Sequence, residues 1–316
     1  MNQSLNIAFI MDPLETVKAY KDTTYFIMLA ARQRGHRVFF LEQNDLYVRD
    51  NQLHANVIEV DVHENHDQPF TRRPVLDCAM DTMDAVLIRT DPPFDRRYFY
   101  TTLLLDLLPP STRVINRPQG LRNWNEKLAA LFFGAFTPGS LITQDTRRLH
   151  DYIHASEGRV TLKPIDGHGG RGILFVKADD PNLDQLLLMA THAGSHRVIA
   201  QQYVPSAKDG DKRILLLNGK PLGAILRLHP EGKELNNMDA GGTPHPWEMT
   251  EREYDICNAI EPHLKEQGIL FAGIDILGDE LIEINVTSPT GLQELCRFSE
   301  KPFHHDIVAA IEAECR

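Results

Sequence analysis

The segment Asp166-Gly-His-Gly-Gly-Arg-Gly172 places four glycines within seven residues. A loop without Cβ atoms lets backbone N–H groups come close to phosphate oxygens, so the first chemistry to consider is phosphate binding. Gly167, Gly169 and Gly172 formally match G-x-G-x-x-G. A dinucleotide fingerprint of that form requires a helix directly after the glycines, whose N-terminus meets the pyrophosphate. The residues that follow, Ile173-Leu-Phe-Val176, read as a strand. Strand, glycine loop and strand instead describe a flexible hairpin that can fold over phosphates, with Lys163 upstream as a cation for them. An ordinary glycine-rich turn is the bland alternative. No Walker A sequence occurs.

A second feature is Gly273-Ile-Asp-Ile-Leu-Gly-Asp-Glu-Leu-Ile-Glu-Ile-Asn-Val286. Asp275, Glu283 and Asn285 interrupt two apolar β-patterns, and two carboxylates with an amide oxygen suit Mg²⁺, which takes the rest of its shell from phosphates. Register decides whether they meet. A two-residue Gly278-Asp279 turn pairs Asp275 with Ile282 and separates the acids, whereas a three-residue loop over 278–280 pairs Asp275 with Glu283 and keeps Asn285 on that face. Solvent-facing alternation on an antiparallel sheet is the competing explanation. Scattered cations (Lys127, Lys212, Arg213 and Arg227) complete the set, each alone an ordinary surface charge and together a phosphate and carboxylate pocket. His63-Glu-Asn-His66 lacks the i,i+4 spacing of a zinc-protease helix, and no G-x-S-x-G is present, so hydrolase chemistry is not indicated.

These residues need elements to hold them. Residues 5–11, 38–41, 85–88 and 113–116 read as strands and 23–34 as a helix, which implies an open, mostly parallel sheet. Residues 51–74 are polar and punctuated and read as a surface excursion. A boundary falls near 118–125, with a helix over 125–133 carrying Lys127. Strands at 141–143, 160–164, 173–176 and 198–202 alternate with helices at 147–155 and 183–190. Strands 213–217 and 221–228 flank Asn218-Gly219, a hairpin signal. A helix at 251–266, strands at 269–277 and 280–286 and a helix at 306–315 finish the chain.

Composition narrows the class. The chain has 316 residues, 33 Lys+Arg against 44 Asp+Glu and a net charge of −11. Such an acidic balance argues against nucleic-acid binding. Four scattered cysteines (Cys78, Cys257, Cys296 and Cys315) without Cys-x-x-Cys suggest reduced thiols. With no signal-peptide pattern and no apolar run of membrane-spanning length, the expectation is a cytoplasmic protein that binds neither membrane nor nucleic acid.

In this order the motifs resemble the prokaryotic glutathione synthetases of the ATP-grasp superfamily, over nearly the whole chain. The resemblance is carried by Met11-Asp-Pro13, Lys21-Asp-Thr-Thr24, Arg89-Thr-Asp-Pro-Pro-Phe-Asp95, Asn125-Glu-Lys127, Leu162-Lys-Pro164 and the glycine loop. Lys208-Asp-Gly-Asp-Lys-Arg213, Gly273-Ile-Asp275 and Glu283-Ile-Asn-Val-Thr-Ser-Pro-Thr290 complete it. It implies an α/β ATP-grasp fold with a Rossmann-like substrate domain (1–122), a central lobe with the glycine loop (123–200) and a C-terminal lobe with metal site and lid (201–316). It also implies ATP-dependent ligation of γ-glutamylcysteine and glycine through an acyl phosphate, with Mg²⁺, or Mn²⁺ in its place, and a homo-oligomer, dimer or tetramer.

The resemblance places ATP on Lys127, Lys163, Gly167, His168, Gly169 and Gly170. It puts the adenine on Gln201, Gln202, Tyr203 and Val204, and the ribose on Asp211. Metal ligands would be Asp275, Glu283 and Asn285. Arg213, Lys163 and Arg227 would be catalytic, and Arg213, Arg227, Asn285 and Ser288 would hold substrate. Three positions depart from the family pattern by losing a cation on the substrate side: Thr90, Gln293, and Leu235 in the candidate lid over 229–242. These departures keep open a paralogous ligase with another acid or amine. A nucleotide-binding protein without catalysis is disfavoured by the complete acidic set, and an NAD oxidoreductase by the strand after the glycine loop.

Overall fold

The computed structural model describes residues 4–229 and 242–316. Most of the candidate lid, with Lys233 and Leu235, therefore lies outside the described residues. Three sheets form among those described, of seven, four and five strands.

The first sheet holds β1 (Asn6–Ile10), β2 (Arg37–Leu41), β3 (Leu46–Arg49), β4 (Gln52–Val62), β5 (Phe70–Ala79), β6 (Ala85–Ile88) and β7 (Arg113–Ile115). Its strand order is β3-β4-β2-β1-β6-β7, with β5 paired to β4. The four strands from β2 to β7 run parallel, as the strand–helix alternation implies, and an antiparallel extension of β3, β4 and β5 is added to them. Helix α1 (Thr23–Gln33) links β1 to β2, α2 (Arg96–Leu105) links β6 to β7, and α3 (Pro118–Asn123) follows β7.

The expected surface excursion over 51–74 is instead the core of the β4–β5 hairpin. Leu53, Ala55, Val57, Val60 and Val62 point inward, while Glu59 and Asp61 face arginines from β2, α1 and β5. Strand β5 is an edge strand exposed along most of its length, so its sequence carries little apolar alternation. The expected helix over 125–133 is also corrected. Residues 118–123 are helical, with Pro118 at the first position where its missing N–H costs nothing. Asn125 then turns the chain by accepting from Lys127 N and Leu128 N, and only a short 3-10 helix, Ala129–Phe133, follows.

The second sheet contains β8 (Ser140–Thr143), β9 (Val160–Pro164), β10 (Leu174–Val176) and β11 (Val198–Gln202), in the order β10-β9-β11-β8. Helices α4 (Thr146–Ala155) and α5 (Leu183–Ala190) cover one face and close a separate small core around Leu149, Ile153, Leu162 and Leu187.

The third sheet comprises β12 (Asp211–Leu217), β13 (Lys220–Leu228), β14 (Thr243–Trp247), β15 (Phe271–Leu277) and β16 (Glu280–Asn285), in the order β14-β13-β12-β15-β16. Asn218 and Gly219 both have positive φ, 49° and 77°, in the tight turn joining β12 to β13. Helix α6 (Glu251–Gln267) packs on this sheet, α7 (Leu292–Ser299) lies against its β13 and β14 strands and against α1, and α8 (Phe303–Glu314) packs on α1.

The first and third sheets share two continuous cores. Asn116 stitches them together. Its amide donates to Phe271 O and Val286 O, both at 2.8 Å, and its oxygen accepts from Leu270 N and Phe271 N at 2.8 and 3.0 Å. All four cysteines are free, and no helix among the described residues is long and apolar enough to cross a membrane.

Candidate active site

Alternation and register on the third sheet bring its charged residues to one face. Arg213 stands opposite Asp275 on β15, and Asp275 opposite Glu283 on β16. Asp211, two residues from Arg213, faces Arg227 on β13, and Asn285, two beyond Glu283, shares their side. The turn after β15 is the two-residue one, since Leu277 pairs with Glu280, and by itself it would set Asp275 against Ile282. A bulge beyond Ile276 inserts one residue, and Asp275 meets Glu283 after all. Lys212 emerges from the opposite face, donating to Gly278 O at 2.5 Å and lying over the Trp247 ring, so this cation of the sequence set is not in the pocket.

The charges on that face are largely consumed by one another. Arg213 donates through Nε to Asp275 Oδ1 at 2.5 Å and through Nη2 to Oδ2 at 2.9 Å. Arg227 grips both oxygens of Asp211 and also reaches Asp275 at 3.0 Å. Burial alone would raise the Asp275 carboxyl, but the two guanidinium groups together hold it well below the usual carboxylate range.

Two residues with expected ligand roles are partnered within the protein. The Asp211 carboxylate is held by Arg227, and Arg227, with only 4% of its surface exposed, is met by both Asp211 and Asp275, while both side chains still line the cavity between the sheets.

Opposite this face lie β9, β11 and the glycine loop. Lys163 is buried on β9 and donates to Gln201 Oε1 at 2.7 Å. Burial depresses its ammonium to about 8, with Lys127 adding to the effect and Glu283 and Asp275 opposing it. Lys127 donates to Gly167 O and to Glu283 Oε1, tying the loop to the acidic strand. The loop spans residues 165–173 between antiparallel strands, so strand, loop and strand is the observed order. Gly169, Gly170 and Gly172 have φ of 61°, 76° and 75°, a region side chains disfavour. Burial lowers the His168 imidazole below its ordinary value, with the Arg171 and Lys127 charges adding to the effect and Glu283 opposing it.

Beyond the end of β11, Tyr203 meets Phe175 edge to face, and the Arg159 guanidinium lies over both rings. With Val204, Leu277 and Ile282 these rings make an apolar slot of the kind a purine fills.

A cavity of about 700 Å³ opens between the three sheets and is lined by every residue named for ATP, metal or substrate. Thr90 and Gln293 do not line it. Thr90 is buried, and Gln293 donates to Ala19 O and Asp22 O, so neither side chain present at these two positions reaches the cavity.

Glu126, within the Asn125-Glu-Lys127 motif but not among the residues that the motifs single out, also lines the cavity. Its Oε1 accepts from Val286 N, Thr287 N and Thr287 Oγ1, which fixes the chain just past Asn285. The Asn125-Glu-Lys127 motif was the available signal. The first sheet adds Asp12, Arg89 and Asp91.

Glu283, Asn285 and Asp275 offer hard oxygen donors on one face, a set that fits a divalent cation. Glu283 is the most available of them, since Lys127 is its ion-pair partner, whereas Asp275 already receives two arginines and the Asn285 amide. Among the described residues no group of three His, Cys, Asp or Glu side chains converges. A cation here would draw the remainder of its shell from phosphate oxygens and water.

Comparison with known proteins agrees with this geometry. The family model "Prokaryotic glutathione synthetase, ATP-grasp domain" matches residues 126–300, and the N-terminal domain model of the same family matches residues 5–122. The chain is 39% identical to a glutathione synthetase of Thermosynechococcus vestitus, over 96% of this chain and 99% of that one. It is 37% identical to that of Escherichia coli, over 92% of each. Among solved structures, the D-cycloserine synthetase DcsG superposes with a TM-score of 0.71 at 14% identity, covering 98% of this chain and 100% of that one, which speaks to the fold alone. The chain belongs to the prokaryotic glutathione synthetase family and has the ATP-grasp fold.

Proposed function

We propose that the chain joins γ-glutamylcysteine and glycine to glutathione at the expense of ATP, in the division of labour 1–122, 123–200 and 201–316 given above. The observation that carries this reading is the cavity that sets two lysines and a glycine loop against an acidic sheet face. A carboxylate is a poor acyl donor. Its oxygen attacks the γ-phosphorus of ATP, the bond to ADP breaks, and an acyl phosphate results. The glycine amine then attacks the carbonyl carbon, inorganic phosphate leaves with the C–O electron pair, and the amine sheds a proton.

Phosphoryl transfer asks for alignment and charge neutralisation rather than a covalent residue. Lys127 and Lys163 hold the phosphates, the glycine loop covers them against water, and Tyr203 with the slot behind it seats the adenine. Gln201, Gln202 and Val204 flank that slot. Arg213 lies beside the transferring group, held in place by Asp275. A divalent cation, Mg²⁺ on this reading or Mn²⁺ in its place, would sit on Glu283, Asn285 and Asp275 and supply further neutralisation of phosphate charge. The protein acts as a cytoplasmic homo-oligomer, dimer or tetramer.

The test is ADP release with γ-glutamylcysteine and a panel of amines. Glycine-dependent release with glutathione as product is expected. Release with γ-glutamylcysteine that depends on a different amine, and none with glycine, would assign the chain to a paralogous ligase.

A further inference from the structure

Arg89 carries a buried charge without a contact ion pair. It follows β6 and is 6% exposed; Nε donates to Thr24 Oγ1 at 3.1 Å and Nη2 to Pro289 O at 3.0 Å. Among the described residues no carboxylate stands within 4.0 Å of its nitrogens, and Asp22 and Asp91 act on it only through space. The Phe271 ring, 5.6 Å away, is its other compensation. A guanidinium has five N–H donors, and burying one without a counter-charge is costly unless a ligand supplies it. Arg213 and Arg227 present the contrast, since protein carboxylates already neutralise them.

Arg89 lines the cavity together with Asp12 and Asp91. The two acids are held side by side, as Asp91 N donates to Asp12 Oδ2 at 2.8 Å, and the Asp91 carboxyl lines the cavity beside Ser288, whose hydroxyl it engages, with burial and Asp12 raising it. The corner therefore offers one cation in want of an anion and two adjacent anions in want of a cation. It also adjoins the acidic sheet face. Arg89 holds the carbonyl of Pro289 while Arg213 donates to that of Thr290 at 3.2 Å, so consecutive residues of one loop link the two.

We propose that Arg89, Asp12 and Asp91 form a subsite for a zwitterionic α-amino-acid head group, with the α-carboxylate on the guanidinium and the α-ammonium between the two carboxylates. Given the function proposed above, on which this identification rests, the head group is the γ-glutamyl end of the acid donor. The acceptor amino acid is excluded on chemical grounds. It must enter as a free amine to attack, and two carboxylates around its nitrogen would hold it protonated and unreactive.

The test is calorimetric binding, in the presence of a non-hydrolysable ATP analogue, of three compounds. These are γ-glutamylcysteine, N-glutarylcysteine (no α-amino group) and N-(4-aminobutanoyl)cysteine (no α-carboxylate). Wild type should bind each truncated compound about tenfold or more weakly than γ-glutamylcysteine. Arg89→Gln should bind γ-glutamylcysteine weakly and cease to discriminate against the aminobutanoyl compound. Asp91→Asn should cease to discriminate against the glutaryl compound. Wild type binding all three alike, or either variant keeping full discrimination, overturns the subsite; if Arg89→Gln does not fold, Asp91→Asn decides. ADP release by wild type with γ-glutamylcysteine and glycine is read separately. Discrimination without turnover refutes the ligase reading and leaves the subsite, and turnover without discrimination does the reverse.

Discussion

Lys163 should take up a proton when ATP binds, and the structure sets the amount. Its ammonium is buried on β9 with Gln201 as its hydrogen-bond partner, and burial depresses it from 10.5 to about 8. The unfolded chain therefore binds the proton more tightly than the folded one between pH 8 and 10.5, and through that window this group makes stability rise with pH. Below pH 8 the charge is present and costs the free protein about 3 kcal/mol. Phosphate anions beside the ammonium reverse that penalty.

At pH 8.5 the free site is about one-quarter protonated and the ATP-loaded site nearly fully so, an uptake of about three-quarters of a proton. Calorimetry with a non-hydrolysable ATP analogue in two buffers of different ionisation heat measures it. Lys163→Met should abolish the uptake and the turnover while raising the thermal midpoint of the free protein, because a buried charge has been removed. Uptake below about 0.2 proton in wild type, or uptake that survives Lys163→Met, would refute the placement of Lys163 against the phosphates.

Glu283→Gln should keep the fold but lower turnover by about a hundredfold or more, since it removes ligand charge and leaves Lys127 without its partner; near-normal ADP release at limiting divalent cation would contradict this. Asn116→Ala leaves two carbonyls and two N–H groups unmatched between the first and third sheets. The expected loss is about 3 kcal/mol or more, seen as a thermal midpoint lowered by roughly 5 °C; a shift below about 1 °C would show that water replaces the amide. Asp211→Asn separates the two roles considered for that acid. A lowered midpoint of about 3 °C or more with little change in the KM for ATP is expected if it serves Arg227, whereas a raised KM with unchanged stability would restore it to the ribose.

Much of the site was legible as residue chemistry. The glycine loop, Lys163, Asp275, Glu283 and Asn285 are unusual residue types within otherwise apolar strands, and local alternation was enough to mark them. The strand after the loop was equally local, and it separated this hairpin from a dinucleotide fold. The β4–β5 hairpin was not legible. Its edge strand is solvated, and the charges on β4 are matched by Arg32, Arg37 and Arg73 from other elements. Helix α3 was hidden because Pro118 and Gly120 read as turn residues. In the fold Gly120 is needed within a helix, where a Cβ would come within 2.2 Å of Gln267 O.

The sequence by itself determined which residue types are present: a glycine-rich loop of the kind that suits phosphates, several cations, and hard oxygen donors. Tertiary structure decided which charges remain available. A bulge of one residue sets Asp275 against Glu283 rather than Ile282. Cross-strand register commits Arg227 to Asp211, 16 residues away, and Arg213 to Asp275, 62 residues away, while Arg89 lines the cavity held only by the Thr24 hydroxyl and the Pro289 carbonyl, with no carboxylate in contact among the described residues. The physical reason is that a side chain's type is local, whereas its neutralisation depends on distance to charges that only folding brings near.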